Sequence, residues 1–244
     1  MKAMVLAAGL GTRLRPLTDD RPKALVEIGG RTLLEITLAR LREFDIRDVV
    51  INVHHFADKF VGYLKDHDNF GMRIQVSRED VLLDTGGGLK KAAPLFLADA
   101  HAADEPIVVH NVDVISTIDL ARMAQAHTAS HALATLAVQE RKTSRYLVFD
   151  ENLELCGRRI GEVATAEIVR QSRHVQALAF AGVHVISPRL FAKLTEDGVF
   201  SIISSYLRLA GHGETIMGFR ADQDSWRDVG RREDLDKAAQ YLGV

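Results

Sequence analysis

The residues of this sequence best suited to chemistry are small, basic and acidic ones gathered at the ends of apolar runs. The first group is Leu6-Ala7-Ala8-Gly9-Leu10-Gly11-Thr12-Arg13, continued by Leu14-Arg15-Pro16-Leu17-Thr18 and by Arg21-Pro22-Lys23. Small side chains and two glycines let a backbone turn tightly and present amide N–H groups, and such a nest attracts phosphate oxygens. Arg13 can fork two hydrogen bonds to a terminal phosphate, while Lys23 supplies a compact charge able to follow a phosphoryl group. The loop reads as a triphosphate cradle. It lacks the Gly-x4-Gly-Lys-Ser/Thr of a P-loop, and Leu14 stands where a dinucleotide fingerprint needs its third small residue.

A second group, Asp84-Thr85-Gly86-Gly87-Gly88, opens a predicted helix. Glycines bare backbone groups that can hydrogen-bond a nucleobase edge, and a helix start favours an anion; a plain glycine-rich helix start is the alternative. The run Val108-Val109-His110-Asn111-Val112-Asp113 puts Asn111 and Asp113 just beyond a predicted strand, at the edge where open α/β sheets bind ligands. Asp228 lies far along the chain in Ser225-Trp226-Arg227-Asp228-Val229-Gly230. Magnesium takes one or two protein carboxylates together with phosphate oxygens and water, so Asp113 and Asp228 make a suitable pair. The alternatives are a helix-capping Asp113 and a turn-forming Asp228.

Short apolar runs alternate with amphipathic stretches, which predicts an α/β fold with a mostly parallel sheet and helices on both faces. The predicted strands are Lys2–Leu6, Val49–Val53, Arg73–Val76, Ile107–His110, Ala134–Gln139, Ala179–Ile186 and Thr215–Phe219. The predicted helices are Thr32–Phe44, Ala57–His67, Gly87–Ala93, Ile118–His127, Pro188–Lys193, Phe200–Ala210 and Arg231–Leu242. Tyr146 to Arg170 reads as an inserted antiparallel segment with a hairpin near Asp150 to Asn152. With no linker, repeat or low-complexity tract, residues 1–244 are expected to form one domain.

The 244 residues carry a net charge of −2 and are 47% hydrophobic and 26% charged, the balance of an ordinary globular chain. No general nucleic-acid partner is expected, and no membrane partner, since no apolar run is long enough to span a bilayer. The single cysteine, Cys156, leaves no intramolecular disulfide and agrees with a cytoplasmic setting. The start of the chain lacks the cleavage site of a secretory signal. Adjacent His54 and His55, and His127 with His131, lack a zinc pattern, so no metal beyond magnesium is expected. Oligomeric state is not legible at this level.

The amino-terminal run resembles the signature L-A-A-G-x-G-T-R-L-x-P-L-T-x-x-x-P-K of the sugar-1-phosphate nucleotidyltransferases. Asp84 to Gly88 resembles the T-G-G loop of that family, Asn111-Val112-Asp113 its N-G-D motif with valine for glycine, and Trp226 to Gly230 its second metal motif. The resemblance covers Met1 to about Leu242 and implies a Rossmann-like, GT-A-like nucleotidyltransferase fold. It also implies a Mg²⁺-dependent enzyme that joins a nucleoside triphosphate and a sugar 1-phosphate, releasing pyrophosphate. Catalytic roles then fall to Arg13, Lys23 and Asp113, and metal binding to Asp113 and Asp228. Nucleotide binding falls to Leu6, Ala7, Ala8, Gly9, Gly11, Thr12, Arg13, Lys23, Asp84, Thr85, Gly86, Gly87, Gly88 and Asn111.

Phe180-Ala181-Gly182-Val183-His184-Val185-Ile186-Ser187-Pro188 looks like the corresponding strand of short members that act on muramate and heptose 1-phosphates. In that setting Gly182 lets backbone approach the sugar, and Glu167 or Glu162 accepts bonds from its hydroxyls. Arg158 and Arg159 either reach the sugar phosphate or lie on a solvated face. Uridine with N-acetylmuramate, guanosine with a heptose, and thymidine or uridine with glucose all fit, in cell-wall or surface-glycan precursor synthesis. A catalytically silent sensing domain is the alternative function, and such relatives usually lose the lysine or a metal carboxylate, which this chain retains. Longer relatives carry an acyltransferase β-helix that is not expected here.

Overall fold

The protein is described from a computed structural model, which covers residues 1–98, 105–161 and 166–242. In chain order the strands are β1 (Lys2–Leu6), β2 (Glu27–Ile28), β3 (Arg31–Thr32), β4 (Asp48–Val53), β5 (Arg73–Arg78), β6 (Ile107–Asn111) and β7 (Val114–Ser116). They continue with β8 (Ala134–Gln139), β9 (Arg145–Asp150), β10 (Leu155–Ile160), β11 (Glu167–Ile168), β12 (Val175–Ile186), β13 (Ile216–Arg220) and β14 (Trp226–Asp228). The helices are α1 (Leu33–Glu43), α2 (Ala57–Asp66), α3 (Asp84–Leu97), α4 (Leu120–Ala129), α5 (Ile202–Gly211) and α6 (Arg232–Leu242).

Among the described residues, ten strands form one mixed sheet along the path β11-β10-β9-β12-β6-β1-β4-β5, with β8 on β12 and β13 on β8. The centre, β6-β1-β4-β5, is parallel. Strands covered on both faces must be apolar on both, and Ala3 to Val5 of β1 and Ile107 to Val109 of β6 are at most 2% exposed. Alternation sends Val5, Ile51 and Val108 to a core shared with Leu38 of α1, Phe60 of α2, Met123 of α4 and Ala238 of α6. Met4, Val50 and Val109 face a second core with Leu89 and Phe96 of α3 and Tyr206 of α5.

Local signals set the helix starts. Thr32, expected as the first residue of α1, is its cap: its hydroxyl accepts from Glu35 N–H at 3.1 Å while the Glu35 carboxylate accepts from Thr32 N–H at 2.6 Å. The helix expected from Gly87 starts at Asp84 and runs through Pro94 to Leu97. Pro188 to Lys193 forms a 3-10 helix with Ser187 as its cap. The segment expected to be antiparallel is β9-β10-β11, an extension of the main sheet through β12. Two short pairings were not expected from the sequence: β2 with β3, and β7 with β14. A strand of two or three residues is too short to show a period of its own.

The strand β12 forks the sheet. One edge pairs with β9 through Val175–Ala179 and with β6 through Val183–Ile186, while the opposite edge pairs with β8. Between those two stretches Phe180 to Gly182 line a cavity of about 650 Å³. Orphaned carbonyls at the fork are costly unless paired. Arg141 Nη2 donates to the Phe180 carbonyl at 2.8 Å and Trp226 Nε1 to the Ala181 carbonyl at 2.7 Å.

Two histidines are built into this core. His110 Nδ1 donates to the Asn111 carbonyl at 2.8 Å, and His184 Nδ1 lies 2.9 Å from the Tyr206 hydroxyl. Burial lowers their pKa values from 6.5 to about 4 and about 3. Below pH 6.5 the unfolded chain therefore binds protons that the folded chain does not, so stability falls as pH drops from about 6.5 towards 4. The urea midpoint should decline through that window, and His184→Gln should flatten the decline by about one bound proton. An unchanged pH slope in that variant would contradict the assignment.

Candidate active site

The short β7·β14 ladder brings together two aspartates that lie far apart in sequence. Asp113 lies in the link between β6 and β7, and Asp228 pairs in register with Val114. The ladder is extended by Val229 N–H donating to the Asp113 carbonyl at 2.8 Å and by Thr117 N–H donating to the Ser225 carbonyl at 3.0 Å. Val112, which stands where the N-G-D motif has glycine, is 4% exposed and turned into the core. Its N–H donates to the Leu6 carbonyl and its carbonyl accepts from Thr37 Oγ1. Val112 nonetheless shares with Asp113 the lining of a cavity of about 340 Å³.

The amino-terminal loop folds onto this pair. Gly11 has φ +64°, and a Cβ there would stand 3.0 Å from Lys23 Cβ, so only glycine lets the loop lie along the lysine stem. Thr18 Oγ1 and Leu14 N–H both donate to the Gly11 carbonyl, and fully buried Leu14 anchors the 3-10 turn Thr12–Leu14 that carries Arg13. Lys23 is buried and its ammonium contacts the Asp113 carboxylate. The Arg13 guanidinium passes so close to Gly230 that a Cβ there would lie 2.7 Å from Nη2, and 3.0 Å from Asp228 Oδ1. A cavity of about 340 Å³ is lined by Gly9, Gly11, Thr12, Arg13, Lys23 and Asp113 among others. Among the described residues the N–H groups of Ala8, Gly9, Leu10 and Gly11 donate to no protein acceptor. Ala7 lines the same cavity, but its N–H is taken by Asn52 Oδ1 at 2.8 Å and is not free for a phosphate.

The glycine-rich segment also departs from the expected role. Gly86 and Gly87 N–H both donate to the Phe200 carbonyl, at 2.9 and 3.2 Å. A Cβ on Gly86 would lie 2.4 Å from the Phe200 ring, and one on Gly87 2.4 Å from the Gly198 carbonyl oxygen. Gly86 and Gly87 are buried to let α3 dock against 198–200 and their amides are not free for a base, while buried Gly88 packs against Asn52 and Glu79. Asp84 and Thr85 remain at the surface of a cavity of about 370 Å³, with Ala8, Leu82, Asn111 and Val199. Leu82 and Val199 are apolar walls that a base can stack against; neither belongs to a sequence pattern.

The cavity at the β12 fork collects Arg141, Thr143, Arg145, Tyr146, Arg158, Gly182 and Trp226, besides both aspartates. Gly182 has φ +73°, and its missing Cβ makes room for the Asn111 side chain, 2.9 Å away at Nδ2. It lines the cavity, yet the strain and clearance at Asn111 are what require glycine. Glu167 is not among the lining residues: it is exposed on β11, where it accepts from Arg158 Nε at 2.6 Å. Its role is to steady Arg158 at the rim. Glu162 lies outside the described residues. Arg159 points to Tyr146, 4.8 Å from the ring centre. Arg141 and Trp226, unnoticed as sugar-side residues in the sequence, stack at 3.6 Å, a cation over an aromatic face that fixes both.

Leu6 and Asp113 line all three cavities. Burial first, then the charge of Asp113, raises the pKa of the Asp228 carboxyl, with Lys23 and Arg13 opposing. Two carboxylates held together in this way, both lining the cavity at the β12 fork, fit a hard divalent cation that would take its other oxygens from a ligand and water. Among the described residues no group of three or more acidic, histidine or cysteine ligands occurs, so such a cation would depend on the ligand to complete its shell.

A family model described as nucleotidyl transferase matches residues 2–243. An N-acetylmuramate α-1-phosphate uridylyltransferase of Caulobacter vibrioides is 36% identical over 235 residues, 93% of this chain and 91% of that protein. A second protein of that name, from Neisseria meningitidis, is 29% identical over 247 residues, 100% of this chain and 99% of that one. The crystal structure of HddC from Yersinia pseudotuberculosis complexed with GMP-PN superposes with a TM-score of 0.77 at 20% identity, covering 99% of both chains.

Gly230→Ala tests the geometry around Arg13. The methyl group would press on the flexible end of the guanidinium and on Asp228, which are free to shift without unfolding the chain. The thermal midpoint should hold, while calorimetric affinity for a nucleoside triphosphate falls about tenfold through misplacement of the cation. Unchanged affinity would place Arg13 outside the triphosphate site.

Proposed function

The chain belongs to the nucleotidyl transferase family, and from that premise we propose that it joins UTP and N-acetylmuramate α-1-phosphate to give UDP-N-acetylmuramate and pyrophosphate. At the coarser level it is a sugar-1-phosphate nucleotidyltransferase, as its relatives are. The observation that supports the chemistry best is the meeting of Arg13, Lys23 and Asp228 around Asp113, which lines all three cavities. One cavity suits the triphosphate, one the nucleoside and one the sugar phosphate.

The obstacle to the reaction is repulsion between two anions. A sugar phosphate, with a second pKa near about 6, is already largely ionised at neutral pH, so no base is needed to activate it. One of its oxygens attacks the α-phosphorus in line, the bond from that phosphorus to the bridging oxygen of the β-phosphate breaks, and pyrophosphate leaves. We assign Asp113 and Asp228 to Mg²⁺, which when bound neutralises charge between the two substrates. Lys23, stationed beside Asp113, stabilises the crowded α-phosphate. Arg13 and the free amides of Ala8 to Gly11 hold the departing pyrophosphate.

Two features support the choice of sugar. Two relatives that align over nearly their whole length carry the muramate name. The sugar cavity also presents Arg141, Arg145 and Arg158, more cation than one phosphate requires, and N-acetylmuramate carries a lactyl carboxylate as a second anion. The product belongs to cell-wall precursor synthesis in the cytoplasm; among the described residues no helix is long and apolar enough to cross a membrane.

Pyrophosphate release with UTP should be at least about tenfold faster, as kcat/KM, for N-acetylmuramate 1-phosphate than for N-acetylglucosamine 1-phosphate, which lacks the carboxylate. Equal rates would remove the muramate reading and keep the transferase reading. Lys23→Ala should lower turnover by about a hundredfold or more with the fold retained. Release at the wild-type rate from that variant would remove Lys23 from the mechanism.

A further inference from the structure

A chain of three buried hydrogen bonds runs behind the nucleotide side of the site and is used by nothing described so far. Ala7 N–H donates to Asn52 Oδ1 at 2.8 Å, Asn52 Nδ2 donates to Glu79 Oε1 at 2.7 Å, and Leu83 N–H donates to Glu79 Oε2 at 3.0 Å. Asn52 is the last residue but one of β4 and Glu79 follows β5, the neighbouring parallel strand, so the sheet itself brings the two side chains together. They are 3% and 4% exposed. The backbone of Glu79 is pinned as well, by its N–H to the Val53 carbonyl at 2.8 Å and by its carbonyl to His54 Nδ1 at 2.8 Å. Gly88 of α3 leaves room for the pair: a Cβ there would lie 2.6 Å from both Asn52 Nδ2 and Glu79 Oε1.

Among the described residues no lysine or arginine forms an ion pair with Glu79. A carboxylate buried without a cation is a poor way to stabilise a core, because an apolar pair of similar volume usually does as well or better. The two ends of the chain of bonds indicate its use. Ala7 opens directly into the free amides of Ala8 to Gly11, and Leu83 opens directly into Asp84 and Thr85, while Leu82 lines both the triphosphate and the nucleoside cavities.

We infer that Asn52 and Glu79 are positioning residues that lock the triphosphate-binding loop and the nucleoside-binding loop at one fixed spacing, so that a nucleoside triphosphate meets both at once. The inference rests on the nucleotidyltransferase reading of the site and adds to it which side chains set nucleotide affinity: Asn52, which also lines the nucleoside cavity, and Glu79, which lines none of the three cavities. The sugar cavity does not touch either residue. The tie should therefore act on one substrate alone.

Hydrogen-bond direction provides the test. Asn52→Asp sets two carboxylates against each other, and Glu79→Gln offers a single carbonyl acceptor to two donors. The double variant Asn52→Asp/Glu79→Gln reforms all three bonds with the middle one reversed and the net charge unchanged: the new carboxylate accepts from Ala7 and from the new amide, whose carbonyl accepts from Leu83. Each single variant should raise KM for UTP by about tenfold or more and leave KM for the sugar phosphate within about twofold, and the double variant should recover to within about threefold. A fall in thermal midpoint with KM for UTP unmoved, or a folded double variant that does not recover, would overturn the inference. Should a single variant fail to fold, Gly88→Ala decides in its place: selective loss of UTP affinity supports the tie and unchanged affinity removes it. Calorimetric binding of UTP to the same variants needs no turnover. A wild-type chain that binds UTP and releases no pyrophosphate would thus defeat the transferase reading while the tie is still tested.

Discussion

Like charges have to be held together before this site can do anything. Asp113 and Asp228 repel each other, and each of the two substrates adds more negative charge. Side-chain contacts alone would let the acids part. The backbone prevents it: β7 and β14 are hydrogen-bonded in register, and the Asp113 carbonyl itself accepts from Val229 N–H. Spacing between the carboxylates is thereby set by a ladder, and relief comes from Lys23 on Asp113 and Arg13 beside Asp228. Preorganised charge of this kind needs little rearrangement when the reaction occurs.

The sheet supplies the space. A sheet whose strands all stayed paired would leave no opening at its ligand-binding edge wide enough for a sugar. Here β12 leaves β6 to pair with β9, and Phe180–Gly182, which pair with neither, become a cavity wall. The carbonyls exposed by the fork are closed by Arg141 and Trp226, whose mutual stacking holds a guanidinium at the sugar end. One backbone irregularity thus produces both the cavity and a cation that lines it.

Glycines around the site divide into two physical kinds. Gly11 and Gly182 adopt positive φ and are required by the path of the chain. Gly86, Gly87, Gly88 and Gly230 are required by what lies against them: Phe200, the Gly198 carbonyl, the Asn52–Glu79 pair and Arg13. A glycine motif read as bare backbone for a ligand can equally be a motif for close packing, and the distinction is invisible in one dimension. The same holds for Ala7, whose amide is turned away from the ligand onto Asn52.

What the sequence determined by itself was whatever depends on neighbours along the chain. Apolar runs marked the parallel strands, amphipathic stretches marked the helices, and the contiguous cradle from Leu6 to Lys23 announced phosphate chemistry, because periodicity and nests are local. Tertiary structure alone decided what depends on contacts across tens or hundreds of residues. The meeting of Asp113 with Asp228 rests on strands of three residues, too short to read. Arg141, Trp226 and the pair Asn52 and Glu79 belong to no short pattern, and Glu167 reads as a ligand until Arg158 is seen to hold it. Hydrogen-bond direction and Cβ clearance are properties of packing, and packing is settled only once the chain has closed on itself.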